Sequence, residues 1–298
     1  MLRTSTPDKR WIGSVASSAV RVAGFDVVTR WDALHRSFKG AALQLCAAQA
    51  ECFGFRRLAI PSCSIGVIDL AEWCAARRFE LTVFLPAEQD SGSPLGDFTR
   101  GDDRIKVHAV PGGWSTVHAA FWAFTHAQRD IYPIYPSGDP WYLAALRNSA
   151  AQVLQAFPDR PIVVPCSSGL HLLAYLEEAE ALEATNRLLG VQLRGFDPLA
   201  AGFSGTLADA STCEIPSMLS QAPVNAERIQ SALRRRLTAH IRAVSAVEVH
   251  AVNTRLEALI LERLGTVDDS LAACLAAAEA ERLEGPVLLS TARTARHM

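Results

Sequence analysis

The sequence predicts an α/β protein resting on largely parallel sheet. Strand-like and helix-like stretches alternate from about residue 24 to the end of the chain. The run Leu81-Thr82-Val83-Phe84-Leu85 is almost wholly apolar, as a strand covered on both faces must be. The chain has 298 residues, 49% hydrophobic and 20% charged, enough for two modest domains with a sizeable core.

The elements follow in order. Residues 38–53 read as a helix broken by Gly54, and 57–60 as a short strand. The turn 61–66 then opens a second helix that runs to about residue 78. Strand 81–85 is ended by Pro86, and 88–103, rich in Gly, Ser and Asp, reads as an exposed loop. Residues 105–110 are the next strand, and 139–157 have helical periodicity that Pro158-Asp159 stops. Strand 161–165 leads to Cys166-Ser167-Ser168-Gly169, a helix expected to reach about residue 189, and a strand at 190–195. The stretch 203–225 is the least regular. Asp269 is suited to cap an Ala/Leu helix stopping at Gly285, and 286–289 form a last strand leading into Ser290-Thr291.

Composition narrows the function. A formal net charge of −2, with Arg234-Arg235-Arg236 only a local cluster, argues against a nucleic-acid surface. No apolar run reaches the length of a membrane span, and the polar N-terminus lacks the pattern of a signal peptide, so a cytoplasmic location is expected. The seven cysteines form no C-x-x-C pair. Cys46, Cys52, Cys74 and Cys274 fall in helical patterns, whereas Cys63 and Cys166 follow strands. His108, His118 and His126 lack ligand spacing with acidic partners, so no metal is expected. The basic residues are uneven: 26 arginines but only Lys9, Lys39 and Lys106. Lysine can lose its proton and attack an aldehyde, which arginine cannot do at ordinary pH.

Three short segments carry candidate chemistry. Ser37-Phe38-Lys39-Gly40 puts a lysine at a helix start, where a cation is disfavoured and needs another reason to be. Pro61-Ser62-Cys63-Ser64-Ile65-Gly66 joins a strand to a helix through small residues, offering backbone N–H groups to a carboxylate or phosphate. Cys166-Ser167-Ser168-Gly169 repeats that arrangement. None has the glycine pattern of a nucleoside-triphosphate or dinucleotide loop.

In order and spacing these segments resemble the type II fold of pyridoxal-phosphate enzymes, the tryptophan synthase β-like group that includes threonine synthase, cysteine synthase and the serine/threonine dehydratases. In that family S-F-K supplies the Schiff-base lysine. A small-residue loop, a helix and a strand ending in V-F-x-P follow, here 61–66 and Val83-Phe84-Leu85-Pro86. Phe157-Pro158-Asp159 through Gly169 is similar to the family's strand and phosphate loop, and 190–197 to the strand after it. The likeness covers roughly 26–298.

The resemblance implies two three-layer α/β/α domains with pyridoxal 5'-phosphate between them. Residues 1–44 with 136–298 would form the larger, cofactor-binding domain, and 45–135 the smaller, substrate-loop domain. Lys39 would be the catalytic, cofactor-bearing lysine. Ser64, Cys166, Ser167, Ser168, Gly169 and Ser290 or Thr291 would bind the cofactor, and Ser62, Cys63 and Ser64 the substrate carboxylate. A hydroxyl of Ser290 or Thr291 at the pyridine nitrogen suits elimination and replacement better than transamination; alignment to cysteine synthase selects Ser290, and to threonine synthase Thr291. The implied activity is β- or γ-elimination or replacement on an amino acid by a homodimer. Four departures stand out: Ser64 for the family's asparagine, Cys63 for a glycine, Gly40-Ala41 for an Asp-Arg pair, and a single glycine in the phosphate loop. They leave open a non-catalytic relative of the fold, or an unrelated α/β protein binding a small anion.

Overall fold

The computed structural model describes residues 19–22, 24–29, 37–87, 102–201, 208, 212–215, 218–219, 223–264 and 269–290, with the backbone alone for 257–264. Two compact units emerge: the described residues of Ala33–Ala145 form one, and those of Ser14–Asp32 with Leu146–Met298 the other. This differs from the expected division, which cuts the first helix at residue 44. That helix stays whole in the first unit because its buried face (Gly40, Leu43, Cys46, Ala47 and Ala50) packs against the helix that follows.

The first unit is a parallel sheet in the order β5-β4-β3-β6, made of β3 (Arg57–Pro61), β4 (Glu80–Pro86), β5 (Ile105–Val110) and β6 (Ile131–Pro133). Helices α1 (Phe38–Cys52) and α2 (Gly66–Arg77) pack on each other, and α2 on β4. On the other face α3 (Trp114–Ala127) sets Val117 and Phe121 against Ala59, Phe84 and Ile131. Buried Asp139 accepts from the N–H of Trp141 at 2.9 Å and so caps α4 (Pro140–Ala156).

The second unit has a six-stranded sheet, β1-β2-β10-β7-β8-β9. Strands β1 (Ala19–Val22) and β2 (Phe25–Thr29) form an antiparallel hairpin turning at Gly24, whose φ of 96° suits glycine. From β2 onward the pairings are parallel: β10 (Val287–Ser290) beside β2 and β7 (Ile162–Pro165), then β8 (Leu188–Leu193) and β9 (Ala239–Val244). Helix α5 (Leu170–Ala181) packs on β7 and β8, and α6 (Ala226–Arg235) on α5. Helix α8 (Asp269–Ala280) packs against β7 to β10, with α7 (Ala246–Leu264) over it. Strands β7, β8 and β10 are buried throughout, which is why their sequences are apolar runs rather than alternating patterns. At the opposite end of the strands from the candidate loops, buried Asp26 takes ion pairs from Arg160 at 2.5 Å and Arg21 at 2.8 Å, the compensation a buried carboxylate requires.

Several expected bounds move. The helix after Gly169 ends at Ala181, not near residue 189, and the next strand begins at Leu188. Glu183 turns left-handed at φ 52°, Asn186 donates to Phe157 O (2.7 Å) and Arg160 O (3.0 Å), and Leu188 and Leu189 enter the sheet. The last helix stops at Ala280 rather than Gly285, closed by Leu283 N–H on Ala278 O at 3.0 Å with Arg282 left-handed. The β1–β2 hairpin, α3, β6, α6, β9 and α7 had no counterpart in the sequence reading. The expected loop at 88–103 and the irregular stretch 203–225 lie largely outside the described residues. No helix among those residues is long and apolar enough to cross a membrane.

Candidate active site

Each sheet has one place where the chain reverses its direction of growth, the position at which open α/β sheets commonly bind ligands beyond the C-terminal ends of their strands. In the first unit the chain runs from β3 outward to β5, then returns to the other side of β3 as β6. The loop leaving β3 at that point is Ser62–Ile65. In the second unit it runs from β7 out to β9 and returns beside β7 as β10. The loop leaving β7 is Cys166–Gly169, and β10 ends there at Ser290. Two of the three segments chosen from sequence, 61–66 and 166–169, thus leave strands at these reversal points.

In the first unit, Ser37 caps α1 by accepting from the N–H of Lys39 at 3.3 Å, which fixes the lysine in the first turn. The amine lies 5.7 Å from the centre of the Phe38 ring. Lys39 keeps some solvent access, yet burial pulls its pKa below the ordinary lysine value, opposed in part by Cys63. A larger share of the neutral, nucleophilic amine results.

Two glycines let the loop and the second helix press against that lysine. A methyl group on Gly66 would stand 2.8 Å from Lys39 Cβ, 2.9 Å from Ser37 Oγ and 3.1 Å from the Gly40 amide. One on Gly40 would overlap the carboxylate of Asp69, whose Cγ is only 2.9 Å away. Asp69 is buried in the first turn of α2. Neither Asp69 nor this double glycine contact was legible in the sequence, where Gly40 registers only as a departure from the family.

The 62–65 loop is ordered by its own hydroxyls. Ser62 and Ser64 hydroxyls meet at 3.0 Å, the Ser64 N–H donates to Ser62 Oγ at 3.2 Å, and Ser62 N–H is committed to Phe84 O at 3.0 Å. Among the described residues the Cys63 and Ile65 N–H groups meet no acceptor, and no side chain caps α2. These are donors for an anion at the positive end of a helix. Cys63 is exposed; desolvation raises its pKa and the Lys39 charge lowers it in part, so it sits in the loop as a thiol.

In the second unit, Cys166 is buried with its thiol pushed up to about 12 by desolvation, and its N–H is spent on Val191 O at 2.8 Å. Donors for an anion therefore begin at Ser167. Gly169 caps α5 at φ 82°, a left-handed conformation, with no side-chain cap bond. A methyl group there would overlap Ile229 Cδ1 and come within 2.8 Å of Leu199 Cδ1, so both side-chain ends would have to shift, and the left-handed backbone would strain any other residue. Ser168 is exposed and Ser167 half-buried.

Behind this loop lies Gln192, fully buried in β8. Its Nε2 donates to Ser167 O at 3.3 Å, and its Oε1 accepts from the Leu199 and Ala200 amides at 3.0 Å each. The one amide in the run Leu-Leu-Gly-Val-Gln-Leu was the available signal. Ser290, the last residue of β10, is buried and pairs in register with Thr29. Thr291 lies outside the described residues. Among those residues no His, Cys, Asp and Glu side chains cluster as a metal site.

Taken unit by unit, the first offers a partly desolvated amine at Lys39, which suits an aldehyde, and the second an uncapped helix start beside two serines, which suits a phosphate.

No protein-family model matches the chain, and no curated protein does. Solved structures do. A hydrogen sulfide-producing enzyme from Fusobacterium nucleatum superposes with a TM-score of 0.74 at 14% identity, over 97% of this chain and 96% of that one. An O-acetylserine-dependent cystathionine β-synthase from Helicobacter pylori gives 0.74 at 16% identity, over 100% and 98%. A threonine deaminase from T.th. gives 0.72 at 18%, over 95% and 93%. The chain shares their fold, the two-unit α/β type II fold expected from its motifs.

Proposed function

We propose that this chain is a pyridoxal-phosphate enzyme that carries out elimination or replacement on an amino-acid substrate. The observation that carries the proposal is Lys39: a lysine capped into the first turn of α1, depressed in pKa by burial, and pressed by Gly66 against a loop with free amide donors. The names of the like-folded proteins support a start at the β-carbon. O-acetylserine and threonine both carry an oxygen there, so β-chemistry is the first to test, in the manner of cysteine synthase; γ-chemistry of the threonine synthase kind is the alternative.

When bound, the cofactor supplies an aldehyde and a ring that spreads the electron pair left on the substrate α-carbon. Lys39 Nζ, whose pKa burial lowers, would hold the cofactor through its aldehyde, a role that a larger share of uncharged amine favours. Lys39 Nζ would also take the substrate α-proton, a general-base role that a lowered pKa favours. The Cys63 and Ile65 amides and the Ser62 and Ser64 hydroxyls hold the substrate carboxylate. Ser167, Ser168 and Gly169, with the first turn of α5, hold the cofactor phosphate. Ser290 or Thr291 would offer a neutral hydroxyl to the ring nitrogen, an arrangement that suits elimination and replacement better than transamination. The resemblance to the family supports a homodimer, which sedimentation would test.

The test is to add pyridoxal phosphate to the purified protein, record the visible spectrum, reduce with borohydride and locate the modified lysine by mass spectrometry. A visible band with the label on Lys39 is expected, followed by consumption of O-acetylserine or threonine. A cofactor that binds with the label on Lys39 but leaves every amino acid unchanged would favour the non-catalytic relative. Absence of both band and label would overturn the proposal.

A further inference from the structure

We propose that Gln192 is a positioning residue that aims the Ser167–Gly169 loop at a phosphate; this rests on the reading of that loop as the cofactor's phosphate site. Strand β8 is buried along its whole length, so an amide side chain within it costs about 1–3 kcal/mol unless its polar atoms are satisfied. Gln192 lies on the same face of the strand as Gly190, over which Leu172 of α5 packs. Its three bonds do not go to neighbouring strands. All go to segments that shape the loop.

The first bond sets a direction. In a planar trans peptide the carbonyl of one residue and the N–H of the next point opposite ways. Gln192 Nε2 holds the Ser167 carbonyl toward the strand at 3.3 Å, so the Ser168 N–H is turned away from the core. The other two bonds fix the wall behind Gly169. Gln192 Oε1 holds the Leu199 and Ala200 amides, and Leu199 Cδ1 is, with Ile229 Cδ1, one of the two side-chain ends that a methyl group on Gly169 would meet. Gln230 Nε2 completes that anchor by donating to Leu199 O at 2.8 Å. One side chain thus orients a donor and braces the left-handed glycine that starts α5.

A merely structural glutamine would affect all ligands alike, whereas a phosphate-positioning one affects only those carrying the phosphate. The experiment measures Lys39 occupancy by absorbance titration with pyridoxal phosphate and, separately, with pyridoxal, in the full-length wild type and in Gln192→Met. Methionine keeps the length and apolar bulk but none of the bonds. The wild type is expected to prefer pyridoxal phosphate, and Gln192→Met to lose roughly tenfold of that preference, about one hydrogen bond's worth, with pyridoxal affinity unchanged. Gln192→Glu serves as the second variant. It can still accept from Leu199 and Ala200 but as a carboxylate cannot donate to Ser167, and the same selective loss is expected. Full retention of the phosphate preference in either folded variant, or an equal loss for both ligands, would overturn the inference. A wild type that binds both ligands equally well would instead overturn the assignment of the loop as a phosphate site.

Discussion

The two candidate loops make a useful comparison because their local chemistry is so alike. Each leaves a strand that ends in proline, Pro61 or Pro165, at the point where its sheet reverses direction, and each opens a helix that no side chain caps. They differ in what holds them. The Ser62–Ile65 loop is fastened through Gly66 to the lysine itself, so loop geometry and amine environment are one packing problem. The Cys166–Gly169 loop is fastened to the body of its unit, by Ile229 and Leu199 around Gly169 and by Gln192 beneath Ser167. A perturbation of the first loop should therefore reach the reactive group, while one of the second should change anion affinity and stability without touching the amine.

The largest effect is expected from removing the reactive group of the first loop's partner. Lys39→Met should lower turnover of any amino-acid substrate by roughly a thousandfold or more and abolish borohydride labelling at that position. The same variant should gain stability at neutral pH. Burial lowers the folded-state pKa of Lys39, so folding disfavours its charge, and the penalty applies wherever both states are protonated. It fades as pH rises from the folded pKa toward the unfolded value of about 10.4, so the variant's advantage in denaturant melts should shrink over that range. An advantage that grows with pH would mean the amine is paired rather than desolvated.

Gly169→Ala comes next. Its cost combines a left-handed residue, about 1 kcal/mol, with overlap on Ile229 and Leu199, about 1–3 kcal/mol. Thermal or urea unfolding should show the sum, with the Lys39 pH–reactivity profile unmoved. Gly66→Ala should cost about 1–3 kcal/mol through its contacts on Lys39 and Gly40, and should shift that profile. Amine acylation followed by mass spectrometry across pH separates these two variants; identical profiles in both would erase the contrast between the loops. The smallest effect is expected from Ser62→Ala, which removes the acceptor for the Ser64 N–H. About 0.5–1.5 kcal/mol of stability should be lost, with a rise in substrate KM at little change in kcat.

The sequence by itself determined the elements that stay local. The apolar strands expected at 57–60, 81–85 and 161–165, the small-residue turns after them and the helix start at Phe38 are set by neighbouring residues. With only three lysines in the chain, Lys39 is also conspicuous from the sequence alone. What it could not show depends on partners far along the chain. A buried parallel strand and the tail of a buried helix are both apolar runs, so Leu188 and Leu189 read as helix until β7 and β9 claimed them. Strand order, and with it the reversal point at which each of these loops lies, arises from pairings such as Leu288 with Val163, 125 positions apart. The glycines are the same case. Only tertiary structure reveals that Gly66 is small because Lys39 Cβ lies against it, and that Gly169 is small because Ile229 and Leu199 do, since close packing is a property of neighbours in space and not in sequence.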